Sequence, residues 1–412
     1  MKILQINAIY GLKSTGRIVM EIHKQLKKLG HESYVAYSEE STADSNDTGV
    51  FRVGNVIDHK LHALLYRIDG KQAWHSKLST MRLCRKIERI NPDVVHLHNL
   101  HANYINLPIL FSFLSKKNIP TLITLHDCWF MTGGCMHYIY SACEQWKTGC
   151  ENCPSVSKSK RQAYRAVFKE KKEIFDNVPV LAVNGVSKWT AEDAKKTPLF
   201  SEAAIIKAIY NWVDTSVFYP VDSKNEVIKK YNIDGSKKIA VCVSQSWSNN
   251  KGLDDITDIA SELEDTLEIV LVGECRSEID KKNVKPIGTV NNPENLRKIY
   301  SAADFLLNLS KAETFGLVMV EAMACGTPVV AYDNTGSSEI VNENCGILAE
   351  SGNKRELIDG IKRICEKDKS YYFSHCVNYT KVCFEKEKQI NKYVDLYSEM
   401  KKIKPEYDKR SK

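Results

Sequence analysis

Two carboxylates, Glu313 and Glu321, bracket the apolar stretch KAETFGLVMVE (311–321), just after the strand-like run DFLLNLS. A carboxylate accepts two hydrogen bonds at once and so suits adjacent hydroxyls. Between them, Thr314, Phe315, Gly316 and Leu317 lead into the helical pattern LVMVEAMACG, and the N–H groups at a helix start favour a phosphate. One carboxylate for a sugar, one for a ribose and a diphosphate between them fits a nucleotide sugar. The plainer reading is helix capping beside a solvated turn. Lys251, in VSQSWSNNKGL (243–253), follows another strand and could reach a phosphate; a surface lysine is the alternative.

Three further groups could carry chemistry. YGLKSTGR (10–17) follows the first strand, and Gly11 and Gly16 flank a short polar loop that opens a helix, a place for an anion or an ordinary strand-to-helix turn. It has neither the dinucleotide fingerprint nor the P-loop ending. HLHNLH (96–101) and TLHD (124–127) put histidines at strand ends. His126 ends a strongly apolar strand, where it could hydrogen-bond a sugar hydroxyl or a developing charge; packing histidines, or a metal cluster over HxHxxH, are the alternatives. Finally, Cys135, Cys143, Cys150 and Cys153 form C-x7-C-x6-C-x2-C, a spacing that suits a structural tetrahedral zinc. Two disulfides or free thiols would account for the same residues.

These residues need elements to hold them. Strand-like runs (KILQINA, SYVAY, DVVHLH, TLITLH, VLAVNGVS, IIKAIY) alternate with helical patterns such as GRIVMEIHKQLKKLG. After about residue 212 the series restarts with KIAVCVS, EIVLVG, DFLLNLS and TPVVAYD. Near-continuous apolar strands separated by helices indicate parallel sheets covered on both faces. Two series predict an α/β chain of two doubly wound domains facing an interdomain cleft: 1–209, with a cysteine-rich insertion at 128–154, and 210–384. YNWVDTSVFYP (210–220) reads as the joint, because its aromatic, Pro and Asn/Asp content breaks both periodicities.

Composition limits the partners. A chain of 412 residues is too long for one ordinary core. No apolar run approaches the roughly 20 residues needed to span a bilayer, and MKILQINAIY reads as a first strand rather than a signal peptide, so a cytoplasmic protein is expected. Of the net charge of +7, residues 1–210 carry +10 and residues 211–412 carry −3. The basic half includes SKSKRQAYRAVFKEKKEIF (157–175), which could face anionic lipid or be a solvated helix face. The excess is modest and lacks interleaved aromatics on a recognisable module, which disfavours nucleic acid.

The E-x7-E segment with FGLVMVEAMACGTPVVA, preceded by Lys251–Gly252 and a VGE strand end, resembles the retaining glycosyltransferases of family 4. STGRIV, DVVHLHNLH, TLHDCWFMTGGC, GVSKWTA and YNWVDTSVF extend the likeness along the chain, and the cysteine segment resembles a subgroup from bacterial polysaccharide gene sets. The resemblance implies the GT-B fold, two Rossmann-like domains, with a C-terminal helix over 385–412 returning to the first. It implies transfer from a UDP- or GDP-linked sugar to a glycan or lipid-linked acceptor, without a catalytic metal, at or near the inner face of the membrane. Glu313 would contact the donor sugar, Glu321 the ribose, Lys251 the leaving diphosphate and His126 the sugar near the reacting carbon. Amides around Phe315–Leu317, and Gly16, would bind phosphate. Many members carry an Arg before the Lys-Gly pair; here SWSNNKG has none, leaving Lys251 alone or with Arg17 or Arg276. A nucleotide-sugar epimerase, or a non-catalytic nucleotide-sugar-binding protein, remain the other classes.

Overall fold

The computed structural model describes residues 1–43 and 47–403. Two units emerge: Met1–Ile209 together with the chain from Ile390 onward, and Tyr210–Gln389.

The first unit is built on seven parallel strands: β1 (Lys2–Ile6), β2 (Glu32–Tyr37), β3 (Val50–Arg52), β4 (Val94–Leu97), β5 (Thr121–Leu125), β6 (Leu181–Gly185) and β7 (Ile205–Ala208). Their order is β3-β2-β1-β4-β5-β6-β7. The second unit has six: β8 (Lys238–Ser246), β9 (Leu267–Glu274), β10 (Val284–Pro286), β11 (Phe305–Asn308), β12 (Val329–Asp333) and β13 (Gly346–Glu350), ordered β10-β9-β8-β11-β12-β13. Both are doubly wound. The strand order reverses between β1 and β4 in one sheet and between β8 and β11 in the other, and ligands of such sheets bind beyond the strand ends at these reversals. The central strands are buried throughout, as β4 and β5 are at every position. Valine, isoleucine and leucine on both faces meet helices on both faces. The short β3, β10 and β13 carry no long apolar run because edge strands need little burial.

Two helices of the first unit matter below: α1 (Lys13–Lys28) and α2 (Val56–Asp69). α1 begins inside the expected polar loop, so Gly16 lies in the helix rather than before it. Gly11, at φ +76°, makes the turn, and its N–H donates to the Gly16 carbonyl at 2.9 Å. A Cβ on Gly16 would stand 3.1 Å from Ile9, so the missing side chain lets α1 close onto the end of β1.

The expected joint at 210–220 is packed into the second unit. The Val213 N–H donates to the Phe384 carbonyl at 3.0 Å, and Trp212 and Phe218 are buried. The chain leaves that unit after Gln389, inside the helix Lys386–Lys402, rather than at 384. Lys386 pairs with Asp214, which keeps the first turn with the second unit. Further along, Tyr393 and Tyr397, one turn apart, are fully buried in the first unit. Asn184 donates to the Tyr393 hydroxyl at 2.7 Å, and the Tyr397 hydroxyl lies 2.8 Å from His96 Nδ1. No helix among the described residues is long and apolar enough to cross a membrane.

Candidate active site

In the second unit the site forms where the strand order reverses. β8 runs into the turn Asn249–Lys251, and Gly252 at φ +77° starts the next helix. A Cβ on Gly252 would stand 2.3 Å from the Leu309 carbonyl oxygen, so only glycine lets this turn lie against the end of β11. The Lys311 N–H closes the contact on the Asn250 carbonyl at 3.0 Å. Lys251 thereby meets the loop after β11. Its Nζ lies 2.7 Å from Glu313 Oε1 and 3.2 Å from Ser310 Oγ.

Glu313 is held from behind by the loop after β12. Its N–H donates to Thr335 Oγ1 at 2.9 Å, and its carbonyl accepts from the Gly336 N–H at 2.8 Å. The next residues lead into the helix Leu317–Ala324, with Gly316 in the left-handed region at φ +93°. The Met319 N–H turns back onto the Gly316 carbonyl at 3.0 Å, and the helix start carries the positive end of the dipole. Phe315 is buried against Tyr210 and Phe384, which anchors the turn. Glu321 sits within the helix, buried, with the Tyr300 hydroxyl donating to Oε2 at 3.1 Å. Glu313, Thr314, Phe315, Gly316, Leu317 and Lys251 therefore share one neighbourhood, while Glu321 lies deeper. Ser310, Thr335 and Tyr300 went unnoticed in the sequence because single hydroxyls have no spacing signature. Arg276 pairs with Glu274 at 3.0 Å on an exposed edge.

In the first unit the ends of β4 and β5 carry a chain of imidazoles. His96 is fully buried and lies 2.7 Å from Thr124 Oγ1 through Nε2. His98, also fully buried, has Nδ1 3.0 Å from His126 Nε2. His98 Nε2 has no partner. A buried N–H left unpaired is rarer than an unpaired acceptor. That favours the tautomer in which His98 Nδ1–H donates to His126 Nε2, which puts the proton of neutral His126 on Nδ1. Burial lowers His126 to about 4, opposed by Asp127 and aided by His101, so it is neutral at pH 7. Asp127 accepts from the Trp129 N–H at 2.8 Å and pairs with His101 Nε2 at 2.8 Å. Burial alone would raise its carboxyl, but His101 and that amide outweigh burial and hold it below the usual range. Gly16 is near none of these by any hydrogen bond; its contact is the packing of α1 described above.

The cysteine segment follows Asp127. All thirteen cysteines are free thiols. Among the described residues, no group of three or more His, Cys, Asp or Glu side chains is placed to hold a metal ion, Cys135, Cys143, Cys150, Cys153 and HxHxxH included. Other contacts order the loop. Trp146 is buried beside Tyr138, which pairs with Asp193, and the Gly133 N–H donates to Cys150 Sγ at 3.2 Å. Lys171 is fully buried and donates to the carbonyls of Trp129 and Thr132 at 2.6 and 3.0 Å, with its ammonium 3.6 Å from the Trp129 ring centroid. Burial lowers this lysine to about 7, and the carbonyls and ring are what the ammonium has in place of water.

The profile of Glycosyltransferase Family 4 matches residues 15–217, and that of Glycosyl transferases group 1 matches residues 223–381. The chain belongs to the family 4 glycosyltransferases. Over 97% of its length it is 22% identical to the whole of WcaC, a glycosyl transferase assigned to colanic acid biosynthesis in Escherichia coli (strain K12). Among solved structures, Anabaena HepE in complex with UDP and glucose covers 97% of this chain and is itself covered in full, at a TM-score of 0.67 and 17% identity. Sucrose-phosphate synthase from Thermosynechococcus elongatus gives a TM-score of 0.67 at 18% identity, covering 97% of this chain and 98% of its own. These likenesses show the GT-B fold of this glycosyltransferase, two Rossmann-like domains.

Proposed function

We propose that this glycosyltransferase moves a hexosyl group, with retention of anomeric configuration, from a UDP- or GDP-linked donor to a glycan or lipid-linked glycan acceptor. The setting is surface polysaccharide assembly (a capsule or O-antigen) at the cytoplasmic face of the membrane. The observation that carries the reading is the Lys251–Glu313 contact of 2.7 Å, held at the strand-order reversal beside the start of the helix Leu317–Ala324. A cation, a carboxylate and a helix start within one loop cluster suit a diphosphate joined to a polyol. The WcaC likeness supports the polysaccharide setting, and the UDP and glucose held by HepE support the donor class.

In this reading Lys251 and the amides of Thr314–Leu317 take up the charge on the leaving diphosphate, the work a metal does elsewhere. Glu313 accepts from hydroxyls of the transferred sugar, and Glu321 serves the ribose from inside the helix. His126 offers a neutral imidazole N–H to the sugar near the reacting carbon, and Gly16 lets α1 bring its N-terminal end to phosphate. The acceptor hydroxyl attacks the anomeric carbon on the face the diphosphate leaves, and its proton passes to the leaving phosphate oxygen. Glu313 positions and does not attack. Thermal shift over a panel of nucleotide sugars tests the donor, since a true donor stabilises the fold by mass action. Transfer with the donor it selects, followed by NMR of the product, tests retention; an inverted anomer removes that part. A zinc ion on Cys135, Cys143, Cys150 and Cys153 is a separate proposal that rests on their spacing alone. Stoichiometric zinc in the purified protein supports it and its absence there removes it.

A further inference from the structure

Thr335 occupies a backbone region that its side chain disfavours. Its φ is +44°, on the left-handed side, where Cβ crowds the carbonyl that follows. Other non-glycine residues among those described share a positive φ, but Thr335 is the only β-branched one. A β-branched residue there is a true outlier, and such strain persists where surrounding contacts over-determine it.

The contacts that hold it lead to Glu313. Thr335 Oγ1 accepts from the Glu313 N–H at 2.9 Å and faces the Glu313 carbonyl at 2.8 Å, with Asn334 Oδ1 a second acceptor at 3.1 Å. One hydroxyl thus closes on both backbone polar groups of a single residue. The Gly336 N–H adds to the same carbonyl at 2.8 Å, and a Cβ on Gly336 would stand 2.8 Å from that oxygen, so only glycine lets the loop lie this close. On the other side, Asn334 donates to the Ser310 carbonyl at 3.0 Å. Ser310 gives its one hydroxyl hydrogen to the Ala312 carbonyl at 3.1 Å, which leaves its oxygen to accept from Lys251 at 3.2 Å. The loop 334–336 therefore reaches both members of the Lys251–Glu313 pair.

The residue type explains the strain. Glycine would adopt this φ freely but has no hydroxyl. Serine has the hydroxyl and turns more easily about χ1. The second branch of threonine stiffens χ1 and keeps the hydroxyl on Glu313. Glu313 belongs to the connection 309–316, and connecting loops are mobile unless something ties them down. A group fixed before binding loses less freedom when the ligand arrives.

We infer that Thr335 is a positioning residue for the donor sugar: its hydroxyl, held by a strained backbone, clamps the Glu313 main chain and so fixes the Glu313 carboxylate beside Lys251 before the donor binds. The inference rests on the reading that Glu313 contacts the transferred sugar.

The test separates hydroxyl from branch in the full chain. Thr335→Val keeps the branch alone, Thr335→Ser keeps the hydroxyl alone, and Thr335→Gly keeps neither. The ligands are the nucleotide sugar that most stabilises the parent and its free nucleoside diphosphate, both titrated by calorimetry. Thr335→Val and Thr335→Gly should each bind the nucleotide sugar about tenfold more weakly, with the diphosphate changed less than about threefold. Thr335→Ser should bind both within about threefold of the parent. Hydrogen exchange at the Glu313 N–H, measured without ligand, should quicken about tenfold or more in the Val and Gly variants and not in the Ser variant. Thr335→Gly should melt at or above Thr335→Val, although glycine's extra freedom in the unfolded chain would put it lower at an unstrained site. Unchanged nucleotide-sugar binding by Thr335→Val would overturn the inference. So would an equal loss for the diphosphate, which a general loosening of the loop produces, unchanged exchange at Glu313, or Thr335→Gly melting well below Thr335→Val. A parent that binds no nucleotide sugar would instead remove the donor reading, and this inference with it.

Discussion

The two units share a sheet plan and differ in the charge they place at its reversal. In the second, Lys251 and Glu313 meet as a partly exposed ion pair at 2.7 Å. In the first, the ends of β4 and β5 carry imidazoles that burial keeps neutral. Of the eleven histidines, only His375 lies in the second unit. The same architecture can therefore present fixed charge or neutral hydrogen-bonding groups, and burial decides which. Charged groups near water keep their charge cheaply, whereas imidazoles drawn among Tyr393, Tyr397 and each other lose it.

The sharpest way to break this comparison is to remove the fixed charge. Lys251→Ala and Glu313→Ala should each lower the transfer rate by about 10²–10³-fold, the scale for losing one group that stabilises developing charge. Their melting temperatures should barely move, because a partly exposed ion pair contributes about 0–1 kcal/mol. Either variant retaining near-normal initial rates would remove that residue's role.

Acid should separate the units next. Burial lowers His23, His62 and His126 to about 4, 3 and 4, below the value near 6.5 of the unfolded chain. The unfolded form then binds more protons below pH 6.5, so stability is complete above that pH and is lost as pH falls toward 4. Each imidazole should account for a loss on the order of a few kcal/mol, confined to the first unit. Limited proteolysis near pH 4.5 should cut the first unit before the second; simultaneous cutting would contradict the assignment.

Smaller effects refine the picture. Glu321→Ala should cost about 1–3 kcal/mol in urea unfolding, because it leaves the Tyr300 hydroxyl without its buried acceptor. Tyr300→Phe should cost about 1 kcal/mol, since one hydrogen bond goes but the ring stays. Smallest of all, Leu64→Ser on α2, where Leu64 is 53% exposed, should change stability by less than about 0.5 kcal/mol, as for an ordinary surface site. A Leu64→Ser loss of the size of a core substitution would show that Leu64 packs against protein.

Much of the fold was legible. Near-continuous apolar runs and the helical patterns between them marked the long strands of both sheets, because a strand buried on both faces has to be apolar almost throughout. The carboxylates of KAETFGLVMVE, Lys251 and the glycines were legible too, since each is an unusual residue type beside a strand end. Their partners were not. Thr335 backing Glu313 lies 22 positions away, and Tyr300 lies 21 before Glu321. Gly16 was misplaced because a polar loop and the polar first turn of a helix have the same composition. The four cysteines show the limit of spacing: C-x7-C-x6-C-x2-C suggests a ligand set, but it says nothing of Lys171, Trp146 and the Tyr138–Asp193 contact that pack the same loop.

α2 marks the same boundary from the other side. Its apolar period is plain in VIDHKLHALLYRID, and by itself that pattern predicts a helix with leucines turned inward. The sequence alone determined that a helix forms there and where its apolar stripe runs. Only the tertiary structure decided that the stripe faces solvent, with Ile57 78% and Ile68 74% exposed, through two hydrogen bonds to His62 from residues that follow the helix in the chain. In the same way, sequence placed a carboxylate at 313 and a lysine at 251, and the packing of Gly252 against Leu309 brought them to 2.7 Å. Periodicity is a local property of the chain, so it can be read locally. Orientation and contact depend on residues distant in sequence, which only the folded chain brings together.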